Sequence, residues 1–147
     1  MKRVSLFLSL AAVAIASGCG GGDTQWKSNR PATVPAKGVV TYKDQPLAGA
    51  IVVIQPGEKD GIGASALTDA EGKFELKAFP PEGGAVPGGY SVTIMKMDNS
   101  ATGEDANGRP VLQKSLIPEK YGNPAQSGLK VEISKDGNSA IQFDLKS

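Results

Sequence analysis

Leu129-Lys130-Val131-Glu132-Ile133-Ser134-Lys135-Asp136-Gly137-Asn138-Ser139-Ala140-Ile141-Gln142-Phe143-Asp144-Leu145 is the stretch that decides the fold class. Leu129, Val131 and Ile133 alternate with Lys130 and Glu132, and Ile141, Phe143 and Leu145 alternate with Gln142 and Asp144. A period of two places the apolar set of each run on one face, the pattern of a half-buried strand. Lys135-Asp136-Gly137-Asn138 supplies turn residues, so 129–134 and 140–145 are predicted to form a β-hairpin.

The same period appears upstream. Gly38–Tyr42 is predicted as a strand with Val40 and Tyr42 on one face. Ala50–Gln55 follows, with Ala50, Val52 and Ile54 sharing a face; Ile51 and Val53 are also apolar, which predicts a central strand or one covered on both sides. Gly63–Thr68 is a weaker strand. Asp69-Ala70-Glu71-Gly72 is a tight turn with glycine where a positive φ is needed. Lys73–Phe79 points Phe74 and Leu76 inward and Glu75 and Lys77 outward. Tyr90–Met97 places Tyr90, Val92 and Ile94 together. Asp98 to Pro110 is polar and without period, and is expected to be mobile; Leu116 to Gly128 is expected to hold a short turn or one-turn helix. Seven strands joined by polar turns, with no long helix, predict an all-β antiparallel or mixed β-sandwich over residues 37–147.

Composition agrees. The 147 residues include 19 glycines and 10 prolines but only four Phe, three Tyr and one Trp, so the core must be built largely from Val, Ile, Leu and Ala. There are 16 basic and 15 acidic residues and no basic cluster, which removes the electrostatic footprint that nucleic-acid binding requires. With one cysteine there is no internal disulfide.

Lys2 and Arg3 precede the apolar run Val4 to Ala16. Its 13 residues are too few to span a ~30 Å hydrocarbon core as a helix and suit the apolar region of an export signal. Ala16-Ser17-Gly18-Cys19 resembles the bacterial lipobox, with Ala16 where that pattern prefers leucine. The resemblance implies a signal peptide at 1–18, cleaved before Cys19, and an S-diacylglycerol, N-acyl cysteine (palmitate-type chains) at Cys19. Two or three such chains would hold the protein stably at a membrane. The segment 19–36 begins Gly20-Gly21-Gly22-Asp23 and contains Pro31 and Pro35, and is predicted to be a flexible tether. Trp26 is its one aromatic, read as a partly exposed tether residue, as one sitting in a membrane interface, or as one folded back on the domain.

A second resemblance lies in the ordered series Gly38-Val39-Val40-Thr41, Pro46-Leu47-Ala48-Gly49-Ala50, Thr68-Asp69-Ala70-Glu71-Gly72-Lys73-Phe74 and Pro87-Gly88-Gly89-Tyr90-Ser91-Val92-Thr93. It is similar to the carboxypeptidase regulatory-like domain, a transthyretin-like seven-stranded sandwich. Leu116-Ile117-Pro118-Glu119-Lys120-Tyr121, with Pro124 and Ser127-Gly128-Leu129, resembles a narrower group of small bacterial lipoproteins bearing one such domain. These motifs imply the fold and a cell-envelope address, periplasmic or outer-surface; they bring no catalytic residue with them.

The absence of histidine excludes Ser-His-Asp and Cys-His catalysis and imidazole metal ligation. Some transthyretin-like proteins hydrolyse hydroxyisourate with histidines and a C-terminal Tyr-Arg-Gly-Ser; this chain has no histidine and ends Asp-Leu-Lys-Ser. Asp98-Asn99-Ser100-Ala101-Thr102-Gly103 is similar to the start of a calcium loop, but the twelfth position, which should be a bidentate glutamate, is Arg109. A solvated loop is the expectation there, and no metal or cofactor is expected. Asp69 and Glu71 are read as turn residues, Glu58 and Asp60 as isolated loop carboxylates. An enzyme would show a buried cleft gathering two or more of Asp69, Glu71, Glu104 and Asp105. Tyr42, Phe74, Tyr90 and Phe143 could form a sugar-stacking platform, yet their inward phase assigns them to the core; Phe79 and Tyr121 are better placed for an exposed contact. The expected function is a non-enzymatic, lipid-anchored binding or structural module with a protein or carbohydrate partner. An accessory module binding carbohydrate or peptide through loops 56–62, 80–89 and 98–115 is one alternative, and a carboxylate-based enzyme the other.

Overall fold

The computed structural model describes residues 30–58, 61–98, 100, 103–111 and 113–147. The expected signal (1–18), Cys19 and Trp26 lie outside the described residues, as do Asp60, Asn99, Ala101 and Thr102. A compact unit spans Pro31–Ser147. It contains β1 (Ala36–Tyr42), β2 (Gln45–Pro46), β3 (Ile51–Pro56), β4 (Ala64–Leu67), β5 (Lys73–Glu75), β6 (Gly88–Met95), a 3₁₀ turn (Glu119–Gly122), β7 (Leu129–Ile133) and β8 (Asn138–Leu145). Among the described residues no helix is long and apolar enough to cross a membrane.

The strands form two four-stranded sheets in a sandwich-like arrangement. In the first, β8 runs parallel to β1 along one edge, while β2 and β5 pair antiparallel with β1. The second is antiparallel in the order β4-β3-β6-β7. The two-residue β2, joined to β1 through Lys43 and Asp44 at φ 53° and 63°, is the eighth strand beyond the seven expected. Two left-handed residues give the turn whose twist matches a two-residue hairpin.

The alternation read in the sequence sets the faces. Val40, Leu76, Ala50, Val52, Ile54, Val92, Ile94 and Leu145 are fully buried, and Phe74, Ile141 and Phe143 nearly so. The rings of Phe74 and Phe143 stack at 5.9 Å with 13° between their planes.

Two expectations are corrected, and one pair of alternatives is decided. The last two strands are not a hairpin: β7 pairs with β6 in one sheet and β8 with β1 in the other. Gly137 (φ 86°) turns the chain from sheet to sheet, and the Asn138 N–H donates to the carbonyl of Pro35 at 2.8 Å, which draws β8 beside β1. β3 is central, between β4 and β6, but covered on one side only, with Ile51 44% exposed. The run 73–79 leaves its sheet after Glu75, and Lys77 bridges Ser65 of β4.

Residues 31–36, within the segment read as tether, take part in the fold. Val34 exchanges two hydrogen bonds with Ala85 (2.9 and 3.0 Å), and Ala36 is fully buried. Apolar side chains at both positions gain more from burial than the short segment loses in chain freedom.

Candidate functional site

The family-like motifs prove to be joints of the fold. Thr68, 3% exposed, accepts from the Ala50 N–H (2.8 Å) and donates to the carbonyl of Leu47 (2.6 Å). The Leu47 N–H reaches Val40 and the Val40 N–H reaches Gly72 (3.0 and 2.8 Å). Three of the quoted segments therefore lock together at one end of the sandwich. At the other, Tyr90 at the start of β6 donates to the carbonyl of Val86, four residues back, at 2.7 Å, with that of Ile62 at 3.2 Å. This is a tyrosine corner. Burial pushes the phenol pKa upward. In the remaining motif, Ser127 donates to Val92 (2.7 Å), and Tyr121 exchanges hydrogen bonds with the backbone N–H and C=O of Lys146 (2.9 and 3.1 Å). Tyr121 is 6% exposed, so the expectation of an exposed contact there is corrected: the 3₁₀ turn carries the ring into the core, and its hydroxyl finds backbone partners. Phe79 is half-buried. Phe74, Tyr90 and Phe143 are core residues, and Tyr42 packs against the core with Lys43 Nζ 5.2 Å from its ring.

The carboxylates are dispersed. Asp69, Glu71, Glu104 and Asp105 are all exposed. Asp69 accepts from the N–H groups of Glu71 (3.0 Å) and Lys73 (2.8 Å), and Asp105 accepts from those of Asn107 (2.8 Å) and Arg109 (3.0 Å). Asp69-Ala70-Glu71-Gly72-Lys73 and Asp105-Ala106-Asn107-Gly108-Arg109 are the same turn built twice, with Gly72 and Gly108 at φ 74° and 72°. The 98–110 stretch, read as aperiodic, thus contains a hairpin closed by the Val111 N–H on Gly103 (2.9 Å). The Asp-Ala-x-Gly-basic repeat was the available signal. Asp98 accepts from the hydroxyl and N–H of Ser100, and these bonds, led by the hydroxyl's, hold its carboxyl below the ordinary range. Glu58 is exposed.

The three loops named as ligand candidates do not converge. β3 pairs Pro56 with Tyr90 at one end and Ile51 with Met95 at the other. Loops 56–62 and 80–89 meet at the first end, where the Gly57 N–H faces the Gly89 carbonyl at 3.4 Å. Loop 98–115 leaves from the second, after Met95.

An open groove of about 820 Å³ lies elsewhere, lined by strands β1, β4, β5 and β8. Its apolar lining includes Val39 and Leu67, the latter 66% exposed. Lys37, Lys73 and Lys77 contribute charge, with Glu75 held by Lys37 at 3.3 Å. This shape and chemistry suit an extended ligand lying across strands. Sequence reading placed Glu75 and Lys77 on the outer face but had no signal that β1, β4, β5 and β8 border one groove.

No known family model matches the chain, and no curated protein matches it in sequence. Solved structures similar to it include a 9R-lipoxygenase from Cyanothece PCC8801, 12% identical, covering 78% of this chain and 16% of that one, with a TM-score of 0.36. A DUF3823 family protein from Parabacteroides merdae ATCC 43184 is 16% identical over 80% of this chain and 46% of its own, also with a TM-score of 0.36. The chain spans less than half the length of either.

Proposed function

We propose that this chain is a lipid-anchored, non-enzymatic binding module of a bacterial cell envelope, built on a carboxypeptidase regulatory-like sandwich and facing the periplasm or the outer surface. The observation that supports binding is the open groove, a strand-built surface with exposed apolar side chains and lysines. The anchored half of the reading rests on Ala16-Ser17-Gly18-Cys19 behind a charged start and a short apolar run. The rival carboxylate enzyme finds less support, because Asp69, Asp98 and Asp105 spend an acceptor oxygen on their own turns and stand apart. A carbohydrate or a peptide would each suit the groove.

Mass spectrometry of the mature N-terminus tests the anchor. A diacylglyceryl and N-acyl adduct on Cys19 is expected, and Cys19→Ala should leave an unprocessed chain without lipid. An unmodified cysteine, or cleavage at another residue, refutes it. Crosslinking in intact cells followed by capture from solubilised envelope, with Lys73→Glu/Lys77→Glu as the comparison bait, tests the groove: its adducts should be lost with the charge reversal.

A further inference from the structure

We infer that β8 is a docking edge that takes an extended peptide segment of a partner protein as an added strand. The inference rests on the reading of the domain as a binding module and names the kind of partner. β8 pairs with β1 alone, and its second edge meets no other strand among the described residues. The carbonyl of Leu145 accepts from the Lys43 N–H at 3.1 Å, and that of Phe143 lies 3.5 Å from the Thr41 hydroxyl, so Phe143 and Leu145 turn their backbone groups toward β1. Successive residues of a strand alternate in direction. The N–H and C=O groups of Ala140, Gln142 and Asp144 therefore point outward from the sheet edge, and all three residues are exposed.

Proteins usually blunt such an edge with lysine, proline or a bulge. β8 has a register shift at its start, between the pairs Ala36–Asn138 and Gly38–Ile141, and Tyr121 closes its outward row at Lys146; between them it carries neither lysine nor proline, and Asp144 is its one charge. The edge strand β7 of the second sheet is five residues long and bears Lys130 and Glu132. Backbone groups in this row specify an extended chain, bound as in strand addition. The side chains set its pattern. Residues opposite Ile141 and Phe143 would face the half-buried Leu129 and Val131 of β7 and should be apolar. Those opposite Gln142 and Asp144 face solvent, and the Asp144 charge favours lysine or arginine there.

The test uses the full chain in detergent and a nine-residue fluorescent peptide alternating valine with lysine and threonine. Binding is expected to protect the amides of Ala140, Gln142 and Asp144 from hydrogen exchange. Gln142→Pro removes an outward N–H at an edge position that tolerates proline, and should weaken binding at least tenfold. The same loss is expected from a peptide N-methylated on the valines or on the alternate residues, whichever set faces β8. Should Gln142→Pro not fold, Asp144→Lys serves, reversing the preference toward a glutamate-bearing twin. Absence of binding at millimolar peptide, protection confined to the groove around Lys73 and Lys77, insensitivity to Gln142→Pro, or self-association of the free chain through β8 would each overturn the inference. The groove result would leave the binding-module reading standing, and loss of the Cys19 adduct would touch the anchor alone.

Discussion

Gly38→Ala is the sharpest perturbation of the sandwich. Gly38 is buried in β1, opposite Phe74 of β5 on one side and Ile141 of β8 on the other. An added Cβ would stand 2.7 Å from Phe74 Cζ and 2.7 Å from Ile141 Cβ, and would strike the Ile141 carbonyl oxygen. The carbonyl belongs to the β1–β8 ladder and cannot swing aside. Phe74 cannot yield freely either, because its ring is stacked on Phe143. Overpacking of this kind costs about 1–3 kcal/mol, and two immobile neighbours put Gly38→Ala near the upper end. Alanine is otherwise the better strand residue by roughly 0.5–1 kcal/mol. The net expectation is a loss of about 2 kcal/mol, a large fraction of the ~5–15 kcal/mol that holds a domain together. Urea unfolding followed by far-ultraviolet circular dichroism measures it. Phe74→Leu in the same chain should relieve the ring contact, and the double-mutant cycle should show a favourable coupling of about 1 kcal/mol. A Gly38→Ala variant as stable as the parent would refute the packing of β1 between Phe74 and Ile141.

Tyr90→Phe should cost about 1–2 kcal/mol, by loss of the bond to Val86 and the unpaired carbonyl left behind, read from urea midpoints. Since burial raises the Tyr90 pKa, its contribution is complete below the unfolded value near 10 and is lost as pH rises through the folded one; Tyr90→Phe should flatten that alkaline decline. Asp98 should titrate below an ordinary aspartate by carboxyl NMR, and Ser100→Ala should return it toward the usual range. A fragment 31–147 should fold alone, whereas 37–147 should be weaker by several kcal/mol. The shorter fragment loses the paired Val34–Ala85 bonds, the Ala36 carbonyl that accepts from Leu76, and the Pro35 carbonyl that accepts from Asn138. Equal thermal midpoints would show that residues 31–36 add nothing.

Much of the strand inventory was legible because a half-buried strand writes its faces into the chain: the inward residues of 38–42, 73–76, 90–94 and 141–145 follow from period two alone. Pairing was not legible. Nothing local distinguishes a turn that folds β8 back on β7 from one that throws it across the core, since the choice is made by Pro35 and β1, about a hundred residues earlier in the chain. Tyr121 was misplaced for a related reason, its ring being drawn inward by backbone partners at Lys146 that no sequence window contains. The groove and the free edge of β8 are products of pairing as well. They emerge only once it is known which strands meet.

The parallel pairing of β1 with β8 also fixes an order of events. A chain made from its N-terminus presents residues 36–42 long before residues 138–145, and one flank of β1 has no partner until the latter arrive. The antiparallel sheet β4-β3-β6-β7 needs nothing beyond Ile133. Contacts so far apart in sequence form slowly, because loop closure must precede them. The first sheet is therefore completed last, at the end of synthesis. Premature release before Leu145 would leave an assembled half-sandwich with β1 exposed along one edge, a form that quality-control proteases are well suited to remove.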